Sequence, residues 1–248
     1  MNVGGMTSII IPTYNGVHLL APCVEAIRRH TELPYEIIVV DNGSTDHTAQ
    51  YCLRERLIFV ALPQNEGFPF AVNRGLAVAS GDQLLLLNND VLVSPRWLSN
   101  MLLALGSANE IGLVGPVTNY ASGGQQIEIS YGEGDSFEQV AEQFNRSNPE
   151  KWQDVQRLVG MCLLFKREVM SRIGFLDERY SPGHYEDDDF CYRARLAGYR
   201  LLICGDTLVY HAGSASFKAN HPEGWNGLIE GNRNKFIEKW GVDPWIFM

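Results

Sequence analysis

The segment Gln83-Leu84-Leu85-Leu86-Leu87-Asn88-Asn89-Asp90 carries two amides and a carboxylate to the end of a run of four leucines. Asp90 is a hard oxygen donor of the kind Mg2+ or Mn2+ accepts, and such ions commonly reach proteins together with phosphates. The bland alternative is a polar turn after a strand. A denser acidic element lies at Glu186-Asp187-Asp188-Asp189. Four adjacent carboxylates repel one another, which raises the pKa of at least one and suits it to accept a proton. The same run also reads as the first turn of a helix, where acids meet the positive end of the dipole. Asp189 stands one helical turn from Arg193, close enough to pair with it.

These groups need elements to hold them. Four consecutive leucines predict a strand buried on both faces, and a polar cluster at the carboxyl end of such a strand marks the ligand crevice of an open α/β sheet. Two other strands end in the same way. Ser8–Ile11 leads into Pro12-Thr13-Tyr14-Asn15, and Pro12 is predicted to stop the strand because it cannot donate to a central ladder. Tyr35–Val40 leads into Asp41–Asp46, and Asp46 can cap a short helix running through Leu53. Val17, Leu20, Val24 and Ile27 have helical spacing and predict a helix over Val17–His30. Leu57–Leu62 predicts a third strand, and Pro69–Ala79 a helix ended by Ser80-Gly81. Pro95 fits the first residue of a helix to Leu105, capped by Ser94. The alternation predicts parallel strands with right-handed crossovers, which brings all three polar clusters to one edge of the sheet.

The second half of the chain reads differently. Ile111–Val117 predicts a strand, and Thr118–Asp135 a Gly/Ser-rich connection with one edge strand at Ile127-Glu128-Ile129. Ser136–Asn145 predicts a helix and Arg146–Asp154 a polar, mobile stretch. Long irregular segments in compact domains are usually lids or substrate loops. Leu158–Phe165 is strand-like, and Lys166–Ile173 continues it as a short helix. Asp187–Ala197 is a helix ended by Gly198, Tyr199–Cys204 and Thr207–His211 are two strands, and Gly224–Lys239 is a last helix.

Composition excludes several function classes. At 248 residues, 45% hydrophobic and 20% charged, the chain is an ordinary globular domain. A formal net charge of −9 argues against capture of nucleic acid or an anionic membrane. No apolar run approaches a membrane span, and the N-terminus has no features of a signal peptide. The C-terminal Trp245-Ile246-Phe247-Met248 is expected to pack on the domain, with at most a peripheral membrane contact. Cys23, Cys52, Cys162, Cys191 and Cys204 form no CxxC pair, so we expect reduced, buried thiols, no zinc site and a cytoplasmic protein, at most touching the inner face of the membrane. No G-x-G-x-x-G follows the first strand and no G-x-x-x-x-G-K-[ST] is present, which argues against a dehydrogenase or a P-loop phosphotransferase.

Six stretches, taken in order, resemble one family. They are Ile10-Ile11-Pro12-Thr13-Tyr14-Asn15; Ile38-Val39-Val40-Asp41-Asn42-Gly43-Ser44-Thr45-Asp46; Asn65-Glu66-Gly67-Phe68 with Asn73-Arg74-Gly75; Gly81-Asp82 with Leu87-Asn88-Asn89-Asp90; Gly174-Phe175-Leu176-Asp177-Glu178; and Glu186-Asp187-Asp188-Asp189-Phe190. Together they resemble an inverting nucleotide-sugar glycosyltransferase of family 2. The resemblance implies a GT-A fold: an α/β, Rossmann-like, mostly parallel central sheet flanked by helices, with a mixed acceptor-side C-terminal half. It implies a single domain, with a nucleotide-sugar half over about 7–117, an acceptor half over about 118–217 and a C-terminal helix and tail beyond. The implied reaction moves a hexosyl or deoxyhexosyl group from a UDP- or dTDP-sugar to a hydroxyl of a glycan, a lipid-linked glycan or a protein, with Mn2+ or Mg2+. A non-catalytic nucleotide-sugar-binding module is the alternative, and the presence of Asp187 argues against it.

The resemblance also implies roles. Pro12, Thr13, Tyr14 and Asn15 would cradle base and ribose, although Asn15 also suits a helix cap. Asp41 would accept from the imide N–H of uracil or thymine, or close an Asx turn. Asn65, Gly67, Phe68 and Asn73 would line the donor site, with Gly67 admitting close approach of backbone to ligand. Arg74 would face the phosphates, or form a surface salt bridge. Asn88 and Asn89 would bind ribose or metal-bound water, Asn88 replacing the first acid of the metal-binding DxD element, and Asp90 would hold the metal. His211, in Leu208-Val209-Tyr210-His211-Ala212-Gly213, would be a second metal ligand, a diphosphate contact, or structural. Asp187 would be the general base, with Glu186, Asp188 and His184 supporting it or binding the acceptor. Asp46 is expected to be a structural cap.

Overall fold

The computed structural model describes residues 5–132, 134–213 and 225–247. Strand β1 (Thr7–Thr13), helix α1 (Val17–His30), β2 (Tyr35–Asp41), α2 (Thr48–Arg54), β3 (Ile58–Ala61), α3 (Phe68–Val78) and β4 (Gln83–Leu87) follow one another in β-α alternation. The strand order begins β3-β2-β1-β4, all parallel. After β3 the chain crosses back over β1 to reach β4, so the β1/β4 boundary is the point where strand order reverses and where such sheets bind ligands.

The leucine run behaves as its composition demands. Leu85 and Leu87 pack on one face with Ile9, Ile11 and Val39, and Leu84 and Leu86 pack on the other with Ile10, Ile38 and Val40. Each such side chain contributes about 1.5–3 kcal/mol relative to an exposed one. Pro12 does not end β1, which continues to Thr13 in register with Asp41. The Thr13 carbonyl accepts from the Asn42 N–H on the β2 side. Successive residues of a strand turn their backbone groups to opposite sides, so the Pro12 nitrogen faces the β4 side, where pairing has already ended at Ile10.

The second half adds β5 (Val91–Leu92), α4 (Trp97–Leu105), β6 (Ile111–Thr118), α5 (Phe137–Phe144), β7 (Trp152–Val155), β8 (Cys162–Lys166), α6 (Arg167–Ile173), α7 (Glu186–Leu196), β9 (Arg200–His211) and α8 (Trp225–Trp240). Strand β8 is antiparallel to both β4 and β6, and β6 is parallel to β9. Thus β1, β2, β3, β4, β6 and β9 share one direction, while β5, β7 and β8 oppose it. The mostly parallel sheet with a mixed second half is as expected.

Several local expectations need correction. Ser94 is not a helix cap: its hydroxyl donates to the Leu208 carbonyl, and α4 begins only at Trp97 after Arg96 in a left-handed conformation. The stretch Arg146–Asp154 is anchored rather than mobile. The Asn148 N–H and the Trp152 indole N–H both donate to the buried Asp206 carboxylate, and β7 pairs with β9. Among the described residues Ile127–Ile129 forms no strand; its neighbour Gln126 makes one isolated bridge to Thr118. The two strands expected at Tyr199–Cys204 and Thr207–His211 are one strand, β9, whose register against β6 slips between Cys204 and Leu208 to absorb Gly205-Asp206-Thr207. Gly224, the expected start of the last helix, and Met248 lie outside the described residues. All five cysteines are free and buried, and burial pushes the Cys52 thiol up to about 12. No described helix is long and apolar enough to cross a membrane.

Candidate active site

A cleft of about 610 Å3 opens at the carboxyl ends of the parallel strands. On the strand side it is lined by Pro12, Thr13, Tyr14, Asn65, Gly67 and Phe68, and by Asn88, Asn89 and Asp90. The Asn89 amide donates to the Thr13 hydroxyl at 2.8 Å, which ties the ends of β1 and β4 across the reversal point. Gly16 leaves room for this bond, because a Cβ there would stand 2.5 Å from the Asn89 amide nitrogen.

Asp90 and His211 meet through a strand pairing. Val91 in β5 lies opposite His211 in β9, and the Asp90 carbonyl accepts from the Ala212 N–H. The imidazole Nε2 consequently stands 3.2 Å from Asp90 Oδ1. His211 Nδ1 lies 2.8 Å from the Tyr120 carbonyl oxygen. A carbonyl only accepts, so Nδ1 carries a proton, and Nε2 is the ring atom that faces Asp90. This second contact is the kind that orients a metal-ligating histidine. Among the described residues no group of three or more His, Cys, Asp or Glu side chains gathers as a metal cage. The two donors therefore fit an ion that brings its remaining ligands as phosphate oxygens and water.

On the other side, Glu186, Asp187 and Asp188 line the cleft from the start of α7. Asp187 Oδ2 accepts from the Gly160 N–H at 2.8 Å, and its Oδ1 from the Asp188 N–H at 2.9 Å. Asp188 receives the Arg157 guanidinium at 2.5 Å, an ion pair almost wholly removed from water. Burial, and then the charge of Asp187, raise Asp188 to about 7. The same two causes raise Glu186 well above the usual carboxyl range. Burial opposes charge on Arg157, but Asp188 and Asp187 outweigh it and hold the guanidinium ionised. Asp189 turns away from the cleft. It is fully buried, accepts from Arg193 at 2.7 Å as the spacing predicts, and receives Lys239 at 2.6 Å and the Trp240 indole N–H at 2.8 Å from α8.

The loop before α7 is set by α8 as well. His184 and Tyr185 both adopt left-handed backbone, at φ 73° and 71°. The Asn232 amide donates to the carbonyls of Tyr180, Gly183 and His184 and holds this turn in place. His184 lines the cleft.

Four expected donor-site residues, Asn15, Asp41, Asn73 and Arg74, lie outside the cleft lining. Asn15 accepts from the Thr45 N–H, and Asp41 accepts from the Ser44 N–H at 2.9 Å in an Asx-type turn; neither lines the cleft. Asn73 bonds the Leu176 N–H and carbonyl and Glu178, clipping α3 to the segment before α7. Arg74 faces Glu178 at 3.5 Å and the Phe70 ring. Gly67 lines the cleft, and it also meets backbone closely: a Cβ there would stand 2.7 Å from Pro182 Cα. Asp46 is structural, accepting from the Thr48 and Val17 N–H groups at the starts of two helices. Sequence reasoning passed over Asn42, Tyr120, Ser122, Gln126, Arg157, Gly160, Tyr185 and Trp245, all of which line the cleft. The nearest signal was the irregular sequence after Thr118, expected to form lids or substrate loops with no residue singled out.

A strand-order reversal with a polar cleft at its mouth is the ligand-binding arrangement of open α/β sheets, and solved structures share the fold. The chain is similar to the mannosyltransferase PcManGT from Pyrobaculum calidifontis in complex with GDP-Man and Mn2+, with a TM-score of 0.64 and 22% identity, over 83% of this chain and 56% of that one. It is similar to Staphylococcus aureus TarS 1-349 in complex with UDP-GlcNAc, with a TM-score of 0.60 and 18% identity, over 84% and 58%. The fold is GT-A. Residues 8–174 match the model of Glycosyl transferase family 2, and the chain belongs to that family. It is 31% identical to the uncharacterized protein y4gI of Sinorhizobium fredii over 85% of this chain and 25% of that protein. It is 25% identical to the glycosyltransferase GlyG of Streptococcus pneumoniae over 83% and 70%. The chain thus spans a quarter of y4gI and little more than half of the two solved chains.

Proposed function

We propose that this domain transfers a sugar from a UDP- or dTDP-sugar to an acceptor hydroxyl of a glycan, a lipid-linked glycan or a protein, with inversion at the anomeric carbon. One observation carries the reading: Asp90 with His211 and Asp187 line the same cleft, the first pair at the strand edge and the second at the acid helix. The donor lies across the ends of β1 and β4, with its nucleotide towards Pro12–Tyr14 and its diphosphate towards Asn88–Asp90. Asp187 takes the proton of the acceptor hydroxyl, the oxygen bonds to the anomeric carbon, and the bond to the diphosphate oxygen breaks on the opposite face. General base assistance of this kind is worth roughly 10²–10⁴-fold. A divalent ion, Mn2+ or Mg2+, held by Asp90 and His211 would neutralise charge on the departing nucleoside diphosphate. The five free, buried thiols support a reducing compartment, the cytoplasm, with at most peripheral contact to a membrane face.

Calorimetry with UDP, dTDP and GDP, with and without Mn2+, tests the donor reading. UDP or dTDP should bind more tightly than GDP, and Asp90→Ala should remove the Mn2+ dependence of binding. Preference for GDP would overturn the base assignment. Binding without turnover on any acceptor would make the domain a binding module.

A further inference from the structure

The cleft ends in an aromatic surface that the reaction above does not use. Trp245 lines the cleft and is nevertheless 57% exposed. Its indole N–H donates to the Tyr185 hydroxyl at 3.3 Å. The Arg233 guanidinium covers the ring at 4.1 Å from its centre, and Asp243 holds Arg233 through two hydrogen bonds. Tyr185 is buried and directly precedes Glu186. The ring is thus fixed at its polar edge, and a broad apolar surface stays open.

The groups around this surface specify what it can hold. Glu186 is buried, and its Oε2 has no hydrogen-bond partner among the described residues. Ser122 and Gln126 line the same cleft. A pyranose ring matches both features. The C–H bonds on one of its faces are weakly positive and pack on an indole, while its rim of hydroxyls supplies partners for buried polar atoms. An acyl chain would leave Glu186 Oε2 buried and unsatisfied.

We propose that Trp245, with Tyr185 and Glu186, forms an acceptor subsite that stacks a sugar ring, so that the acceptor is a saccharide rather than a bare lipid or a protein hydroxyl. The inference rests on the transfer reading, since only that reaction requires an acceptor here.

Saturation-transfer NMR with methyl glycosides of glucose, galactose, mannose and N-acetylglucosamine, in the presence of UDP and Mn2+, tests it. At least one glycoside should receive saturation on the protons of one ring face. Its affinity should fall about tenfold in Trp245→Ala and largely survive in Trp245→Phe. UDP affinity and unfolding temperature should match across all three proteins. Absence of glycoside binding in a parent protein that binds UDP overturns the subsite, as does full affinity in Trp245→Ala. Flotation with phosphatidylglycerol vesicles that is lost in Trp245→Ala, together with no glycoside binding, also overturns it and assigns the ring to a membrane surface. A parent protein that binds a glycoside through Trp245 but binds no nucleotide overturns the transfer reading and leaves the sugar subsite standing.

Discussion

At the strand edge of the cleft the polar groups are mostly neutral and satisfy one another at short range, as Thr13 and Asn89 do at 2.8 Å. At the acid helix four carboxylates are buried within four residues, and each is answered differently: Asp187 by backbone N–H groups, Asp188 by Arg157, Asp189 by Arg193 and Lys239, while burial and the charge of Asp187 raise the pKa of Glu186. The first side is held by the ends of a parallel sheet, which hydrophobic burial fixes regardless of charge. The second is held by ion pairs from distant segments. Charge changes should therefore be tolerated structurally at the first and felt throughout the second.

The largest effect should come at Asp187. Asp187→Asn keeps both acceptors for the Gly160 and Asp188 N–H groups only in part, but an amide cannot take the acceptor proton. Transfer should fall roughly 10²-fold or more while UDP affinity stays near the parent value. Transfer kinetics beside calorimetry decide this, and full activity would reduce the acid quartet to a helix start. Asp188→Ala should act on stability instead. It removes the hydrogen-bonded partner of the buried Arg157 and should cost about 3 kcal/mol, read by urea unfolding, with Arg157→Ala costing little more on top of it. Additive losses would show that the pair is not coupled.

A smaller effect concerns pH. Glu186 and Asp188 bind their protons more tightly in the folded than in the unfolded chain, Asp188 to about 7. Their contribution favours the fold at low pH and is lost as pH rises from the ordinary carboxyl range, about 4, towards neutrality. Glu186→Gln removes part of this slope, so relative to the parent it should gain stability at pH 7 compared with pH 4.5. An unchanged difference across that window would mean that Glu186 binds its proton equally in the folded and unfolded chains. The smallest effect is expected at Arg74. It faces Glu178 and lies outside the cleft lining, so Arg74→Ala should change UDP affinity by less than about threefold. A larger loss would return Arg74 to the diphosphate and blur the contrast between the two sides.

The contrast also governs how much could be read from residues alone. The strand edge was legible because burial writes itself into sequence: Leu84–Leu87 can only be a strand covered on both faces, and its polar successors then share an edge with those of β1 and β2. Asp90 and His211 were singled out separately, but the two-residue strand β5 that joins them is too short to leave a pattern. The acid side was legible only as a cluster. Nothing near Arg157 announces a partner 31 residues away. Asn232 fixes a turn nearly fifty residues before it through three carbonyls, which have no sequence signature at all. Asn73 was placed at the donor site by resemblance alone, whereas its amide serves the segment around Leu176; Gly67 lines the cleft and also packs against the backbone at Pro182.

The Asp189 junction bears on how such domains can be recombined. The family match stops at residue 174, ahead of α7, yet Asp189 binds α7 to Lys239 and Trp240 of α8 two residues beyond the proposed base. A chimaera that exchanged α8 for that of a relative lacking these partners would strand a fully buried carboxylate beside the turn that carries the proposed base, whatever the surface match. Helices α7 and α8 should therefore travel as one inherited cassette, and acceptor preference should follow the pair rather than either helix alone.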